Sequence, residues 1–289
     1  MSKIAVVTDS TAALPPDLVK EHQISVAPLL LIWGSKTYLD GVEIKPSEFY
    51  QMLPESDKMP STSQATVATF IEIFNKLTKE GFDILVIPIS SKLSGTLDSA
   101  TQAKKHFPNA NIELVDSLSA SVPLQIFVML AIRAINKGAS LLQAKALVEK
   151  AVSKMHVFFA VETLEYLHKG GRIGGAARFL GTALGLKPIL ELRNGQIEAI
   201  EKIRTTKKAH SRLVELIEEK IDRNLKVNSI GIIDANAEEG AQYLSKELIQ
   251  RFHPEEVIFG TLSPVLGAHT GPGTVGVAVL AGMEDDLIK

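Results

Sequence analysis

Cysteine is absent from the 289 residues, which removes disulfides, thiol nucleophiles and cysteine-ligated metals together. Charge of one sign is not in excess either: 31 Lys and Arg stand against 33 Asp and Glu, a net charge of −2. A nucleic-acid binder normally carries a basic stripe and a high pI, and this balance argues against one. Long apolar runs are also missing, since no window approaches the roughly 18 uninterrupted apolar residues of a membrane helix. The start, "MSKIAVVTDS", holds only a short apolar run before Thr8 and Asp9, which reads as a strand and not a signal peptide. None of the seven histidines lies four residues from another, so no zinc-type pair occurs. A Walker-type phosphate loop is lacking as well. The expectation is a soluble, cytoplasmic protein.

What is present is a regular alternation. Strand-like "IAVVTDS", "ISVAPLLLIW", "FDILVIPIS" and "NIELVDS" are separated by helical patterns at 15–23, from Pro46, at 67–81 and at 95–107. A further helix, 122–138, is apolar nearly all round up to Arg133 and is expected to be buried. The segment 54–66 reads as a loop. Strands alternating with helices of this length imply a mostly parallel, helix-covered sheet. Near residue 155 the texture changes. Asn194-Gly195 between "ILELR" and "QIEAIEKI" is a strong hairpin signal, and helices and strands alternate again from 207 onward. The fold class is therefore α/β in two domains. Residues 1–154 form a three-layer unit, a parallel sheet with helices on both faces, and residues 155–289 an α/β unit with a mixed sheet.

Ligands of open α/β sheets collect beyond the carboxyl ends of the strands. Several such loops here are rich in hydroxyls: Asp9 to Thr11, Ser61 to Ser63, Ser90 to Thr96, and Asp116-Ser117. Any one serine or threonine is as readily a helix cap, but together they point to a polar pocket of neutral donors. The stretch "ILVIPISSKLSGTLDSA" alone allows a nucleophile, a phosphate or another polar ligand at its tip. Ser94 lacks the Gly-x-Ser-x-Gly elbow, because Lys92 takes the first glycine position. "GPGTVG", Gly271 to Gly276, satisfies Gly-x-Gly-x-x-Gly, yet runs into a strand-like segment where a dinucleotide fingerprint must open a helix. His269, in "GAHTGPG", reads as a residue of a loop too small and flexible to need a core histidine, whereas His22, His106 and His253 read as surface residues. Arg172, among the glycines of "HKGGRIGG", is placed to approach a carboxylate or phosphate.

With these residues assembled, the sequence resembles the DegV family of bacterial fatty-acid-binding proteins across nearly its whole length. The resemblance rests on "VTDS", "STSQ" at 61–64, "SSKLSGT", "VDS" at 115–117, "ETLEYLHKGGRI", "LKPIL", "NGQI", "RTTKKA" and "GAHTGPGTVGV". It implies a two-domain protein with one long-chain fatty acid in a tunnel between the domains and no cofactor or chemistry of its own. It also implies a partner, a separate ATP-dependent fatty-acid kinase that phosphorylates the presented carboxyl group for phospholipid synthesis. Carried over, it places Thr62, Ser63, Ser94, His269 and Arg172 around the carboxylate, with Gly95, Thr96, Gly271 and Gly273 in supporting loops and Arg204 in a region that meets the kinase. Departures from the family pattern are Ala65, Leu97-Asp98 and Val122-Pro123, the last on the apolar helix. Phe127, Val128 and Met129 of that helix are candidates for the tunnel wall, against the plainer role of core packing. A serine acyl hydrolase using Ser94 and His269 is the alternative, and a dinucleotide-dependent oxidoreductase stands third.

Overall fold

The computed structural model describes residues 3–182 and 185–284. The chain begins with β1 (Lys3–Asp9), whose last five residues are buried, and α1 (Pro16–Glu21), with prolines where a first-turn N–H is not needed. The single strand expected over 24–33 is in fact two. Pro28 has no N–H to give to a ladder, so β2 (Ser25–Ala27) stays beside β1 and β3 (Leu30–Trp33) leaves for another sheet. That sheet is antiparallel and small. It is completed by β4 (Lys36–Leu39) and, after α2 (Pro46–Met52), by β5 (Ser61–Ser63), with Thr62 opposite Leu31. Segment 54–66 is therefore not all loop, because its Ser-Thr-Ser run is held as a strand by β3.

The main sheet continues with α3 (Val67–Lys79), β6 (Phe82–Val86), α4 (Thr96–Lys104) and β7 (Ile112–Leu114). Its order is β2-β1-β6-β7 and every pairing is parallel, with α3 and α4 over one face. The other face is covered by α5 (Val122–Asn136) and α6 (Leu141–Lys154). Sequence reading passed over α6, although Ser140 and Gln143 form a capping box at its start. Along α5, the eleven residues from Val122 to Ile132 are all buried, as expected of a helix apolar on every side. Phe127, Val128 and Met129 pack in the core and do not line the cavity described below.

Six strands make the second sheet. In chain order this half runs β8 (Met155–Ala160), α7 (Glu165–Lys169), β9 (Lys187–Arg193), β10 (Gln196–Ile203), α8 (Thr206–Lys220), β11 (Val227–Asp234), α9 (Glu238–Phe252), β12 (Glu256–Thr261), α10 (Pro264–Thr270) and β13 (Val275–Ala281). The order is β10-β9-β8-β13-β11-β12, and only β11 and β12 run parallel, so the sheet is mixed as expected. Asn194 (φ 50°) and Gly195 (φ 80°) make the tight β9–β10 turn. The glycine-rich 271–276 segment leads into β13 and opens no helix. Helix α5 packs on β1 and also on β11 and β12, so one helix serves both sheets. Gly231 and Gly260 permit this: a Cβ on either would come within 2.6 and 2.5 Å of the Val122 side chain. No described helix is long and apolar enough to cross a membrane.

Candidate ligand site

Strand β5 sets Thr62 and Ser63 at the margin of the small sheet, and α10 brings His269 to them from the far end of the chain. Thr62 Oγ1 lies 2.7 Å from His269 Nε2. His269 is thus not in a loop. Ser263-Pro264 starts a seven-residue helix that Gly271 (φ 78°) ends, and His269 is half-buried on it. Asp40 fixes the helix start, accepting from Val265 N at 3.2 Å and from Ser10 Oγ at 2.7 Å. The imidazole's other nitrogen, Nδ1, is buried with no hydrogen-bond partner among the described residues and packs against Gly170, where a Cβ would collide with it.

Gly170 leads to Arg172. Its Nη1 donates to Gly170 O at 2.9 Å and its Nε to Leu93 O at 3.2 Å, tying the loop after α7 to the loop after β6. Ser94 follows directly. Its hydroxyl lies 2.9 Å from Thr96 Oγ1 and accepts from Thr96 N at 3.3 Å, a local turn just ahead of α4, whose N-cap is Gly95. Gly95 passes so close to Gln64 that a Cβ would strike the carboxamide, while Gln64 Nε2 donates to Ser99 Oγ at 2.9 Å. A closed circuit results: Thr62, Ser63 and Gln64 on one side, Ser94 opposite, Arg172 and His269 across the seam.

These six side chains share the wall of one cavity of about 110 Å³. Most of the remaining wall is apolar and comes from both sheets, including Leu29 and Ile89 from the first half and Phe159, Leu192, Ile197 and Leu262 from the second. Burial, and secondarily the Arg172 charge, lowers the His269 pKa to about 4, so the ring is neutral at pH 7. With Nδ1 facing no acceptor, the proton belongs on Nε2, where it is donated to Thr62 Oγ1. The Thr62 hydroxyl proton is then turned toward the cavity. An apolar chamber with hydroxyl donors and one guanidinium suits an amphiphile bearing a carboxylate.

The hydrogen-bonded nucleophile and base of a serine hydrolase are not seen among the described residues. The His269 nitrogen that a base would use is engaged by Thr62, Ser94 pairs with Thr96, and among the described residues nothing orients Nδ1. Most of the other hydroxyl loops stay out of the cavity, contrary to the expectation of one pocket built from all of them. Asp9 is fully buried and accepts from Thr11 N, Thr11 Oγ1 and Ile89 N at 2.9, 2.6 and 2.6 Å. Ser90 Oγ donates to Gly195 O at 2.9 Å, docking the β9–β10 turn. Asp116 caps its own turn by accepting from Leu118 N at 3.0 Å. Gly271 and Gly273 shape the exit from α10, where Gly273 N donates to Ala235 O at 2.7 Å, and Thr96 lies buried behind Ser94. Arg204 is exposed and outside the cavity. Of the residues read as surface histidines, His106 and His253 are exposed and His22 is half-buried.

Four polar wall residues were not singled out in the sequence: Gln64, Ser121, Thr270 and Thr274. Gln64 adjoins the Thr-Ser pair and was within reach. Ser121 was signalled only by its place ahead of the apolar helix.

The sequence model of DegV, a family described as uncharacterised, matches residues 3–282. The chain belongs to the DegV family. A DegV domain-containing protein of Halalkalibacterium halodurans is 36% identical over 279 residues, 96% of this chain and 98% of that one. Among solved structures, a DegV family protein from Thermus thermophilus described for its fatty-acid binding superposes with a TM-score of 0.92 at 34% identity, covering 96% of this chain and 99% of that one. DegV of Bacillus subtilis, described as a fatty-acid-binding protein, gives 0.87 at 32% identity, covering 97% and 99%. The two-unit DegV fold is therefore common to this chain and these relatives.

Proposed function

We propose that this protein binds one long-chain fatty acid between units spanning 1–154 and 155–289 and carries it to a separate ATP-dependent kinase. The observation that carries the reading is the Thr62–His269 pair beside Ser63, Ser94 and Arg172 in an otherwise apolar cavity. In it the carboxylate accepts from the Thr62, Ser63 and Ser94 hydroxyls and faces Arg172, while His269 acts through Thr62. The description of the Thermus and Bacillus relatives as fatty-acid-binding proteins supports the ligand class. The tail supplies affinity: at about 0.8 kcal/mol per buried methylene, about 15 methylenes give on the order of 12 kcal/mol gross. Association and ordering remove much of that, and what is left makes release slow, which suits delivery to a partner better than rapid turnover. The kinase then transfers a phosphoryl group from ATP to the carboxyl group while the carrier holds it, and the resulting acyl phosphate enters phospholipid synthesis. Arg204, exposed beyond the cavity, belongs to the surface that meets the kinase, and no cofactor of the carrier's own takes part.

The test is mass spectrometry of an organic extract of the purified, denatured protein, followed by equilibrium binding. A stoichiometric long-chain fatty acid, and sharply weaker rebinding in the Ser94→Ala, His269→Ala double variant, are expected. An empty protein that takes up no fatty acid afterwards refutes the carrier reading. The kinase step is tested separately by ATP-dependent acyl phosphate formation on the loaded protein.

A further inference from the structure

The six-stranded sheet has two outer strands, and they differ. Against β10 lies the segment Gly174–Phe179: Gly174 packs on Ile197 O and Arg178 donates to Ala199 O. Strand β12 pairs with β11 alone, and none of its six residues is buried. Leu262 N donates to Asp234 O at 2.7 Å. Alternate residues of a parallel strand bond to the same neighbour, so the N–H and C=O of Val257, Phe259 and Thr261 are turned to the outer side. A free edge is ordinarily blunted by Lys, Pro or a bulge, and β12, "EVIFGT", has none of these. Instead it carries Phe259, 56% exposed and the one aromatic among the exposed large apolar side chains of the described residues.

Beside this edge runs a groove, where Phe259 and Thr261 meet Tyr50 of α2 and Glu238 and Ala241 of α9. Its charged residues are Asp234 and Glu238, and no Lys, Arg or His lines it. Asp234 accepts from Ala237 N at 3.3 Å and Thr261 Oγ1 at 3.2 Å, and Glu238 from Gln242 Nε2 at 3.2 Å. Among the described residues no cation pairs with either carboxylate. The acids at the other end of β12 are matched, Glu256 by Arg133 and Glu255 by Lys226.

We propose that the β12 edge receives an extended basic segment of a partner protein, which adds a strand beside Phe259 and lays Lys or Arg side chains in the groove. The segment's backbone bonds the outward groups of Val257, Phe259 and Thr261. Its alternate side chains fall on the groove face. There a long apolar stem crosses the Phe259 ring and the charged head meets Asp234 and Glu238. A second copy of this chain is the poorer fit, because β12 has no cation to bring to these acids. Groove and fatty-acid cavity share no wall residue, so the inference stands apart from the fatty-acid reading.

The experiment measures fluorescence anisotropy of labelled peptides of about seven residues, the length of an ordinary strand, at physiological salt. One alternates lysine and valine, the second has glutamate for lysine, and the third is the lysine peptide N-methylated throughout. The lysine peptide is expected to bind and the glutamate peptide not to, with the N-methylated form at least about tenfold weaker for want of edge hydrogen bonds. Phe259→Ala and Glu238→Gln, both at exposed positions, should each weaken the lysine peptide about three- to fivefold. No binding of the lysine peptide overturns the inference. Equal binding of its N-methylated form does so too, by showing charge attraction without strand addition. Affinity unchanged in both variants would place the peptide elsewhere and is equally fatal. Sedimentation equilibrium decides against the second copy: a dimer of the unaltered protein that Phe259→Ala disperses would make another copy the occupant and the inference wrong.

Discussion

Replacing Thr62 by valine isolates the relay from His269 to the ligand. Valine keeps the branched shape that β5 accommodates and removes only the hydroxyl. Two losses follow from the geometry. In the free protein, His269 Nε2 loses the partner that sits 2.7 Å away and becomes a buried donor with nothing to bond, a cost of about 1–3 kcal/mol. At roughly 2–4 °C per kcal/mol for a domain of 150–250 residues, the melting temperature should fall by several degrees. In the complex, the carboxylate loses a hydrogen bond to a charged group, worth about 1.5–3 kcal/mol, or about ten- to 150-fold in Kd. Displacement of a fluorescent fatty acid measures the second effect and a thermal melt without ligand the first. Thr62→Ser, which restores the hydroxyl and loses a methyl, should recover most of the affinity. Unchanged affinity in Thr62→Val refutes the relay. Equal weakening in the valine and serine variants shows that β5 packing, and not the hydroxyl, was being measured.

Three further expectations follow. The His269 pKa, lowered to about 4 by burial and Arg172 in the free protein, should rise when a fatty-acid carboxylate enters, because a nearby negative charge favours imidazolium. An NMR titration with and without ligand reads this, and an unmoved pKa places the carboxylate elsewhere. Two buried groups set opposing acid responses. The neutral His269 contributes stability above its unfolded pKa near 6.5, lost as pH falls toward 4, whereas Asp40, raised to about 6 by burial, contributes stability below its unfolded pKa near 3.8, lost as pH rises through 6. Between pH 7 and 4.5 the change in melting temperature should therefore be more positive in His269→Asn than in the unaltered protein, and matching curves would contradict the burial argument. Gly170→Ala should push His269 away from Thr62 and weaken fatty-acid binding while Arg204→Ala, outside the cavity, leaves it as it was; binding unaffected by the alanine at 170 would mean that the ring can move without consequence.

The parallel core, the buried α5 and the β9–β10 hairpin were legible because periodicity and turn chemistry are local. The elements that build the cavity were not. Strand β5 is three polar residues whose only reason to be extended is pairing with β3, a tertiary fact. Helix α10 has seven residues, too few for a period to register, and contains Gly267, a residue that lowers helix propensity. That glycine is explained by its surroundings: a Cβ there would come within 2.5 Å of the Tyr50 hydroxyl and 2.8 Å of the Phe49 ring. Thr62 and His269 are 207 positions apart, so no spacing rule joins them, and only the family resemblance set them side by side. The hydroxyl-rich loops misled for the opposite reason. Asp9, Ser90 and Asp116 answer local or interfacial backbone needs, which composition cannot separate from ligand binding.

The cavity lies in the seam between the two sheets, walled by residues from both sides of it. Thr62 to His269, Arg172 to Leu93 O, Asp40 to Val265 N, Tyr50 Oη to Leu262 O and Ser90 Oγ to Gly195 O all cross from residues before 155 to residues after it. A ligand in the cavity beside them, walled from both sides, binds only when both sides are in place, so its binding energy opposes every opening that parts the sheets. At a free concentration one hundred times Kd this amounts to about 2.7 kcal/mol, close to a hundredfold slower exchange for amides that exchange through such openings. Hydrogen exchange with and without stearate should show this added protection together in β5, in the loop carrying Ser94 and in α10, with the α8–α9 surface little changed. Protection confined to one side of the seam would mean that the ligand rests on a single unit, and that the two sheets part without releasing it.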